Sequence, residues 1–149
     1  MLRPELFLDS SALFAGVVSP DGAARVLLLM VEAGLVTVTV SEQVVAETER
    51  AVARRVPQAL PYYREALRST GLSIVRDPSP EEVEADQDII ARQADVPLVV
   101  AVMRADVDYL VTLNRQHFID DSDVAVRSGL RIGAPGGALA WVREKWRQQ

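Results

Sequence analysis

Three acids and one amide occupy positions where an α/β protein could use them together: Asp9, Glu47, Asp95 and Asn114. Asp9 directly follows an apolar segment, Asp95 precedes another, and Asn114 closes a segment rich in β-formers. Oxygen ligands without histidine or cysteine suit magnesium or manganese. Carboxylates packed together repel one another unless a cation or protons compensate, so such a cluster indicates a function. The chemistry expected of this set is therefore that of a divalent-metal site.

Each acid also has a simpler structural interpretation. Asp9 could cap the helical run that follows it, with about even odds against a functional role. Asp95 has Pro97 two residues on, which is typical of a helix N-cap. Glu47 could form an intrahelical ion pair with Arg50 on a solvated face, and spacing alone favours that interpretation. These alternatives stay open on residue patterns alone.

Short apolar segments alternate with helical patterns along the chain. The predicted strands are 6–8, 36–40, 72–75, 109–112 and 131–133. The predicted helices are 12–18, 20–32, 42–55, 62–69, 80–93, a buried helix around 98–103, and 136–146. Such alternation predicts a parallel sheet covered on both faces by helices. The strands of a parallel sheet share one carboxyl edge, so Asp9, Asn114 and the helix start at Asp95 are expected there together.

Several helix boundaries follow from capping signals. Ser19, ahead of Pro20, predicts the start of the second helix, and Ser41 predicts the start of the third. Ser79 and Glu82 have capping-box spacing, which predicts a further helix start. Three acids beyond the fourth strand predict a solvated loop: Asp120, Asp121 and Asp123.

Composition sets the broad class. The chain has 149 residues, average charge content and nearly half apolar residues, so we expect one globular domain spanning 1–149. It has no cysteine, and His117 is its only histidine, which excludes thiolate and histidine-rich metal sites. No apolar run reaches membrane length, so we expect a soluble, cytoplasmic protein with no membrane partner. Gly133 to Gly137 lacks dinucleotide-loop spacing, and no Walker lysine is present.

The net charge of −5 argues against general coating of nucleic acid but allows a local basic face. Arg50 and Arg54 follow Glu47 along one side of the third predicted helix. On residue patterns alone these two arginines could contact a phosphate, or they could belong to an exposed, solvated face, which the spacing favours.

Five segments carry a resemblance to a known family: LFLDSSAL, SEQVVAETER, ADVPLVVAVMRADVDYLVT, TLNRQHF and SGLRIGAPGGAL. In this order and spacing they resemble the PIN-domain ribonucleases, which include the VapC-type toxins of toxin–antitoxin pairs. The resemblance covers essentially the whole chain. It implies a three-layer α/β/α fold with a mainly parallel central sheet.

The resemblance also implies a metal-dependent endoribonuclease that hydrolyses RNA phosphodiester bonds, with Mg²⁺ or Mn²⁺ as cofactor. The implied metal ligands and catalytic acids are Asp9, Glu47 and Asp95, joined in catalysis by Asn114. Ser11 and Thr112 stand where the family places groups that support the pocket. The implied partners are RNA and a cognate antitoxin, with a homodimer as one alternative for the oligomeric state. With RNA as the implied substrate, we predict that Arg50 and Arg54 contact its phosphates.

Two other functions are weighed against this one. Many family members have an aspartate where this chain has Asn114, so the second function is a PIN-fold module that binds RNA or an antitoxin but cleaves poorly. The third is a phosphorylated receiver-type domain. That domain needs a paired acid near the first strand and a late lysine, and Ser10, Ser11 and the lone Lys145 argue against it.

Overall fold

The computed structural model describes residues 3–149. Within that range the chain forms five strands: β1 (Glu5–Leu8), β2 (Thr37–Ser41), β3 (Ser73–Val75), β4 (Tyr109–Val111) and β5 (Ile132–Gly133). All neighbouring strands are parallel, in the spatial order β3-β2-β1-β4-β5. Phe7 on β1 lies opposite Thr39 on β2 and opposite Leu110 on β4. The first strand of the chain is therefore the central strand of the sheet.

The helices found within residues 3–149 are α1 (Ser10–Val18), α2 (Ala23–Glu32), α3 (Glu42–Arg55), α4 (Leu60–Ser69), α5 (Pro80–Ala85), α6 (Val96–Ala105), α7 (Ser122–Ser128) and α8 (Pro135–Arg147). Short 3₁₀ turns occur at Pro57–Ala59 and Gln93–Asp95, and a π-helical turn at Arg115–Ile119. In this part of the chain no single helix is long and apolar enough to cross a membrane. Helices α1 and α2 together have the length and apolarity, but they form a pair bent by 87°.

The sheet is covered by helices on both sides, as predicted. Helix α1 packs against α2, α3 and α4, and α2 packs against α8, whereas α5 packs against α6. The chain runs outward from β1 to β3 and then returns to place β4 on the other side of β1. In an open parallel sheet such a reversal leaves a crevice beyond the carboxyl ends of the two strands that flank it. Here those strands are β1 and β4.

Burial explains why β1 after Glu5, and β4 throughout, consist of apolar and aromatic residues. Leu6, Phe7 and Leu8 have no exposed surface, and Leu110 and Val111 are equally buried. A parallel strand covered on both faces has no solvated side, so it does not alternate polar and apolar residues. Each such leucine contributes about 1.5–3 kcal/mol by leaving water. The strands therefore form a rigid platform for the residues that follow them.

The predicted start of α2 is wrong. Ser19 ends α1 rather than capping α2, because its N–H donates to the carbonyl of Ala15 at 2.9 Å. The guanidinium of Arg25 donates to the carbonyls of Gly16 and Val17 and satisfies the remaining end of α1. Helix α2 then begins at Ala23 with Gly22 as its N-cap, three residues later than predicted.

The predicted end of α5 is also wrong. The capping box is present, since the Ser79 hydroxyl accepts from the Glu82 N–H at 3.2 Å and Glu82 Oε1 accepts from the Ser79 N–H at 2.8 Å. The helix nevertheless stops at Ala85 instead of continuing to residue 93. Ile89 and Ile90 are both buried although they are adjacent. Turns bring both into the core, which one face of an exposed helix would not do.

The acids after β4 do not form a loop throughout. Oδ1 of Asp121 accepts from the N–H of Asp123 at 3.1 Å, which caps α7. This helix ends at Gly129, whose φ of 72° suits glycine. The sequence did not predict α7, because three acids in four residues fit a solvated loop as well as a helix cap.

Candidate active site

Asp9 lies at the carboxyl end of β1 and is tied to both neighbouring elements. Its Oδ1 accepts from the Ser11 hydroxyl at 2.6 Å and from the Ala12 N–H at 2.9 Å, so the side chain caps α1. Its Oδ2 accepts a short hydrogen bond from the Thr112 hydroxyl at the end of β4. Asp9 thus does cap a helix, and it also joins that helix to a second strand.

The environment of Asp9 disfavours an uncompensated charge. Only 6% of the residue is exposed. Burial raises the pKa of Asp9 above its ordinary value, while hydrogen bonds from Ser11, Thr112 and Ala12 act in the opposite direction. All three donors are neutral, and no arginine, lysine or histidine in residues 3–149 forms an ion pair with this carboxylate. The ionised carboxylate of Asp9 is therefore not neutralised by the protein and could bind a cation.

Glu47 is positioned by α3, whose first turn is capped by the Ser41 hydroxyl at 3.3 Å from the Val44 nitrogen. Its Oε2 accepts from the Ser10 hydroxyl at 3.0 Å, and its Oε1 accepts from the Gln43 side-chain amide at 2.6 Å. Among the described residues Glu47 makes no ion pair with Arg50. The intrahelical pair weighed above is thus replaced by two neutral donors.

Asp95 occupies the N-cap position of α6, but its carboxylate makes no capping hydrogen bond there. The predicted capping role is therefore wrong. Instead Asp95 Oδ2 lies 3.3 Å from Nδ1 of His117, and Nη1 of Arg92 lies 3.2 Å from the same nitrogen. That nitrogen can donate to Asp95 or accept from Arg92, but not both at once. The side chain of Asp95 is thus directed to the segment after β4 rather than to its own helix.

The hydroxyls of Ser11 and Thr112 each connect Asp9 to the backbone after β4 through hydrogen bonds. The Ser11 hydroxyl accepts from the Leu113 N–H at 3.0 Å, and the Thr112 hydroxyl accepts from the Asn114 N–H at 3.0 Å. Both hydroxyls donate to the Asp9 carboxylate. A hydroxyl can do both because it carries one proton and two lone pairs.

Asn114 also shapes the segment that follows it. Its side-chain Oδ1 accepts from the His117 N–H at 3.1 Å and caps the π-helical turn. That contact uses one of the two lone pairs on the amide oxygen. The other stays available for a ligand.

The structure arranges the four predicted residues around one cavity of about 290 Å³. They are Asp9, Glu47, Asp95 and Asn114. The two support residues are also in contact with this group, since Ser11 lines the cavity and Thr112 bonds to Asp9. Apolar side chains complete part of the wall, among them Leu98 and Phe118. The cavity lies at the carboxyl ends of β1 and β4, where the strand order reverses.

The donor set fits a hard divalent cation. Carboxylate and amide oxygens are the ligands that Mg²⁺ and Mn²⁺ prefer. Across residues 3–149, however, no three acidic or histidine side chains are gathered closely enough to form a preformed metal cluster. Mg²⁺ commonly keeps several waters and uses only one or two protein carboxylates, so a partly hydrated ion is compatible with this arrangement.

The arginines at the cavity are not the ones that the sequence predicted. Arg50 and Arg54 are exposed on α3 and do not line the cavity, whereas Arg92 does. Arg55 lines a second cavity of about 520 Å³ that also includes Glu47. Its guanidinium lies 4.8 Å from the centre of the Phe14 ring. Arg92 was missed because a helix was predicted through residue 93, and a turn there presents this side chain to the acids.

The chain is similar in sequence to a known protein family. A family model described as the PIN domain matches residues 5–116. The chain belongs to the PIN domain family. The matched range begins with β1 and ends in the turn after Asn114, so it includes Asp9, Glu47, Asp95 and Asn114 but not Phe118 of the cavity wall. Among curated proteins, none matches this PIN domain chain.

Three solved structures have the same fold as this PIN domain chain. PAE2754 from Pyrobaculum aerophilum has a TM-score of 0.65 at 14% identity, covering 95% of this chain and 96% of that protein. VapBC2 from Rickettsia felis, bound to a DNA fragment from its promoter, has a TM-score of 0.59 at 14% identity, covering 87% of this chain and 98% of that protein. VapC20 from Mycobacterium tuberculosis, a toxin that cleaves the sarcin–ricin loop, has a TM-score of 0.57 at 13% identity, covering 78% of this chain and 95% of that protein. At such identities the likeness supports the fold alone, and the predicted three-layer PIN-like fold is confirmed.

Proposed function

We propose that this PIN domain chain is a divalent-metal-dependent endoribonuclease that hydrolyses RNA phosphodiester bonds. The observation that carries the proposal is the cavity at the carboxyl edge, which Asp9, Glu47 and Asp95 all line. Asp9 and Glu47 have neutral hydrogen-bond donors, Asp95 contacts His117, and within residues 3–149 none of the three forms an ion pair with an arginine. Unpaired carboxylates at one site favour a cation. The family and the likeness to VapC20, a toxin that cleaves the sarcin–ricin loop, support a nuclease reaction.

Mg²⁺ or Mn²⁺ would be held by Asp9, Glu47 and Asp95, with the amide oxygen of Asn114 as a neutral ligand. When bound, such an ion supplies Lewis acidity that stabilises charge on the phosphate and activates water. No protein base is needed for that activation. The only histidine, His117, is therefore assigned no proton transfer in this proposal.

The chain's own residues have positioning tasks. Ser11 and Thr112 fix both oxygens of Asp9 and thereby set the direction of its remaining lone pairs. Arg92, at the cavity wall, is placed to contact a phosphate that enters the site. Leu98 and Phe118 exclude bulk water from one side, which strengthens electrostatic contacts inside.

A toxin role with an antitoxin partner is the finer form of the proposal. The likeness to VapBC2 from Rickettsia felis supports it. An antitoxin would need to cover or distort the acid cavity in order to inhibit cleavage. One domain spanning 1–149, a homodimer and a cytoplasmic location stay predictions.

A PIN-fold binding module with weak cleavage is the second candidate. Two observations favour it: the amide oxygen of Asn114 is already engaged with His117, and the carboxylates in residues 3–149 are not gathered as a preformed cluster. Both would weaken metal binding.

RNA cleavage by purified protein tests the proposal. The chain should cut a structured RNA with Mg²⁺ or Mn²⁺ and lose the activity in chelator. Asp95→Asn should lose most activity, whereas Asp88→Asn, a matched change at an exposed acid outside the cavity, should retain it. Equal activity of parent and Asp95→Asn, with contaminating nuclease excluded by an untransformed control preparation, would refute the assignment. RNA binding without cleavage would favour the second candidate.

A further inference from the structure

The amino edge of the sheet, opposite the acid cavity, carries a group of cations. Arg3 precedes β1, and Arg131 precedes β5, with Asp108 preceding β4 between them. Helix α8 starts at the carboxyl edge and brings Lys145 back to the same region. The topology therefore brings residues from four separate parts of the chain to one place.

These residues surround a cavity of about 260 Å³ in which Trp141 supplies an aromatic wall. The Arg131 guanidinium lies 5.2 Å from the centre of the Trp141 ring, and the Lys145 ammonium lies 5.6 Å from it. Tyr109 supports the indole, with ring centres 5.4 Å apart and planes inclined by 50°. Trp141 is partly exposed and is held in place by a buried neighbour. The result is an aromatic surface that Tyr109 supports and that has two cations over its ring.

The charge of this cavity is opposite to that of the chain. The net charge of the protein is −5, yet this cavity holds three cationic side chains against one acidic side chain. That carboxylate, Asp108, already accepts from the Glu5 N–H at 2.8 Å. Within residues 3–149, Arg3, Arg131 and Lys145 form no ion pair with an acid. The cations are therefore available to an external anion.

The combination of an indole face and flanking cations selects the class of ligand. A free phosphate would need the cations but not the ring, and an acidic peptide would likewise leave the ring without a partner. Single-stranded RNA offers both a base that can replace a cation over the Trp141 ring and phosphates that bind the cations. We propose that this cavity, lined by Arg3, Arg131, Trp141 and Lys145, is a binding site for single-stranded RNA, separate from the acid cavity.

The two sites are separated by the length of the central strand. Arg3 and Asp9 are six residues apart across β1, which is about 20 Å at the rise of an extended strand. The RNA segment held at the amino edge therefore needs no metal. A longer RNA bound there would have a raised effective concentration near the acid cavity.

Fluorescence anisotropy of the full chain with a labelled oligouridylate of about 12 nucleotides, a length within the range of single-strand binding sites, tests the proposal in chelator. Arg131→Gln with Lys145→Gln should weaken binding about tenfold at moderate salt and lower the slope of log affinity against log salt by about 1.4, because two phosphate contacts are lost. Arg127→Gln with Arg143→Gln removes the same charge from exposed positions outside the cavity and should change affinity less than twofold.

Trp141→Leu separates stacking from charge. It should weaken binding of the oligouridylate about tenfold, within the range measured for loss of one stacked base, and leave binding of an abasic oligonucleotide of equal length unchanged. The double substitution at Arg131 and Lys145 keeps the test valid if loss of the indole unfolds α8, which circular dichroism would report.

Three results would overturn the proposal. The first is an equal loss of affinity in the two charge-matched double variants, which would show general electrostatics. The second is binding of polyglutamate as tight as that of the oligouridylate, which would indicate an acidic protein partner instead. The third is an oligouridylate affinity unchanged by both the double substitution and Trp141→Leu.

Discussion

Asp9 and Glu82 are both carboxylates held by several donors, but the donors differ in charge. Asp9 is bound by two hydroxyls and one backbone N–H. Glu82 accepts from Arg76 at 2.9 Å, forms an ion pair with Arg104, and accepts from the backbone N–H of Ser79. Asp9 lies at the carboxyl edge of the sheet, whereas Glu82 joins α5 to α6 and to the segment after β3.

The difference appears in the direction of the two pKa shifts. Burial raises the pKa of Asp9, whereas the hydrogen bond from Arg76, supported by Ser79 and Arg104, lowers the pKa of Glu82 to about 2. The protein thus neutralises Glu82 with its own cations and leaves Asp9 without one. A carboxylate of the first kind is structural, and one of the second kind is available to an external cation.

The largest expected effect is loss of activity at Asp9. Asp9→Asn should reduce RNA cleavage by on the order of 100-fold or more, because it removes a charged ligand from the reacting centre. Glu82→Gln should leave cleavage within about twofold of the parent, since Glu82 does not line the acid cavity. Initial rates at saturating Mn²⁺ provide the comparison. Equal losses in the two variants would mean that both act through the fold.

The same substitution, Asp9→Asn, should not lower the stability of the fold. The folded protein holds a proton on Asp9 more tightly than the unfolded chain does, so stability falls as pH rises above the ordinary value of 3.8 toward the raised pKa. Asp9→Asn removes this loss and should therefore melt no lower than the parent at neutral pH in chelator. Melting curves across that pH range decide the point, and a large drop at neutral pH would show that the ionised Asp9 is stabilising.

The next effect concerns the metal. Asn114→Asp adds a carboxylate beside the unpaired acids, so it should lower the melting temperature in chelator and tighten Mn²⁺ binding about tenfold. The rise in melting temperature on adding Mn²⁺ should grow accordingly. Titration calorimetry and melting curves measure both. Asn114→Ala is the control for loss of the bond to His117, and unchanged metal affinity in Asn114→Asp would place residue 114 outside the metal site.

A smaller effect is expected at the arginines. Arg92→Gln should lower kcat/KM for RNA about tenfold, because a charge-assisted phosphate contact is lost. The sequence predicts the same role for Arg50 and Arg54, so Arg50→Gln with Arg54→Gln is the competing variant. Kinetics of the two proteins decide which arginines contact RNA. A larger loss in the α3 double variant would place the RNA path along that helix.

The smallest effect is the pH dependence of the Glu82 cluster. The lowered pKa of Glu82 contributes stability that is present above the ordinary value of 4.5 and is lost as pH falls toward about 2. The difference in melting temperature between the parent and Glu82→Gln should therefore shrink over that window. Glu81→Gln, an exposed neighbour in the same helical turn, should show no such dependence. A constant difference across the window would assign the effect to the capping box alone.

Sequence patterns predicted the elements whose signals are local. The buried strands and the α3 start at Ser41 were predictable because apolar runs and a capping serine each report their own surroundings. The turn around Arg92 was not, because it depends on two adjacent isoleucines entering the core. The contact between Asp95 and His117 was equally hidden, since it joins residues from different elements. The roles assigned to the site residues stay predictions.

The central position of β1 has a consequence for synthesis. Its register with β4 and the bond from Thr112 to Asp9 both join residues about one hundred positions apart. Contacts so distant in sequence form slowly, and a growing chain cannot make them until the later partner exists. Until residue 112 has been translated, Asp9 lacks the Thr112 hydroxyl among its donors and the acid cavity lacks one wall. The acid cavity is therefore completed late, after most of the chain has left the ribosome's active centre.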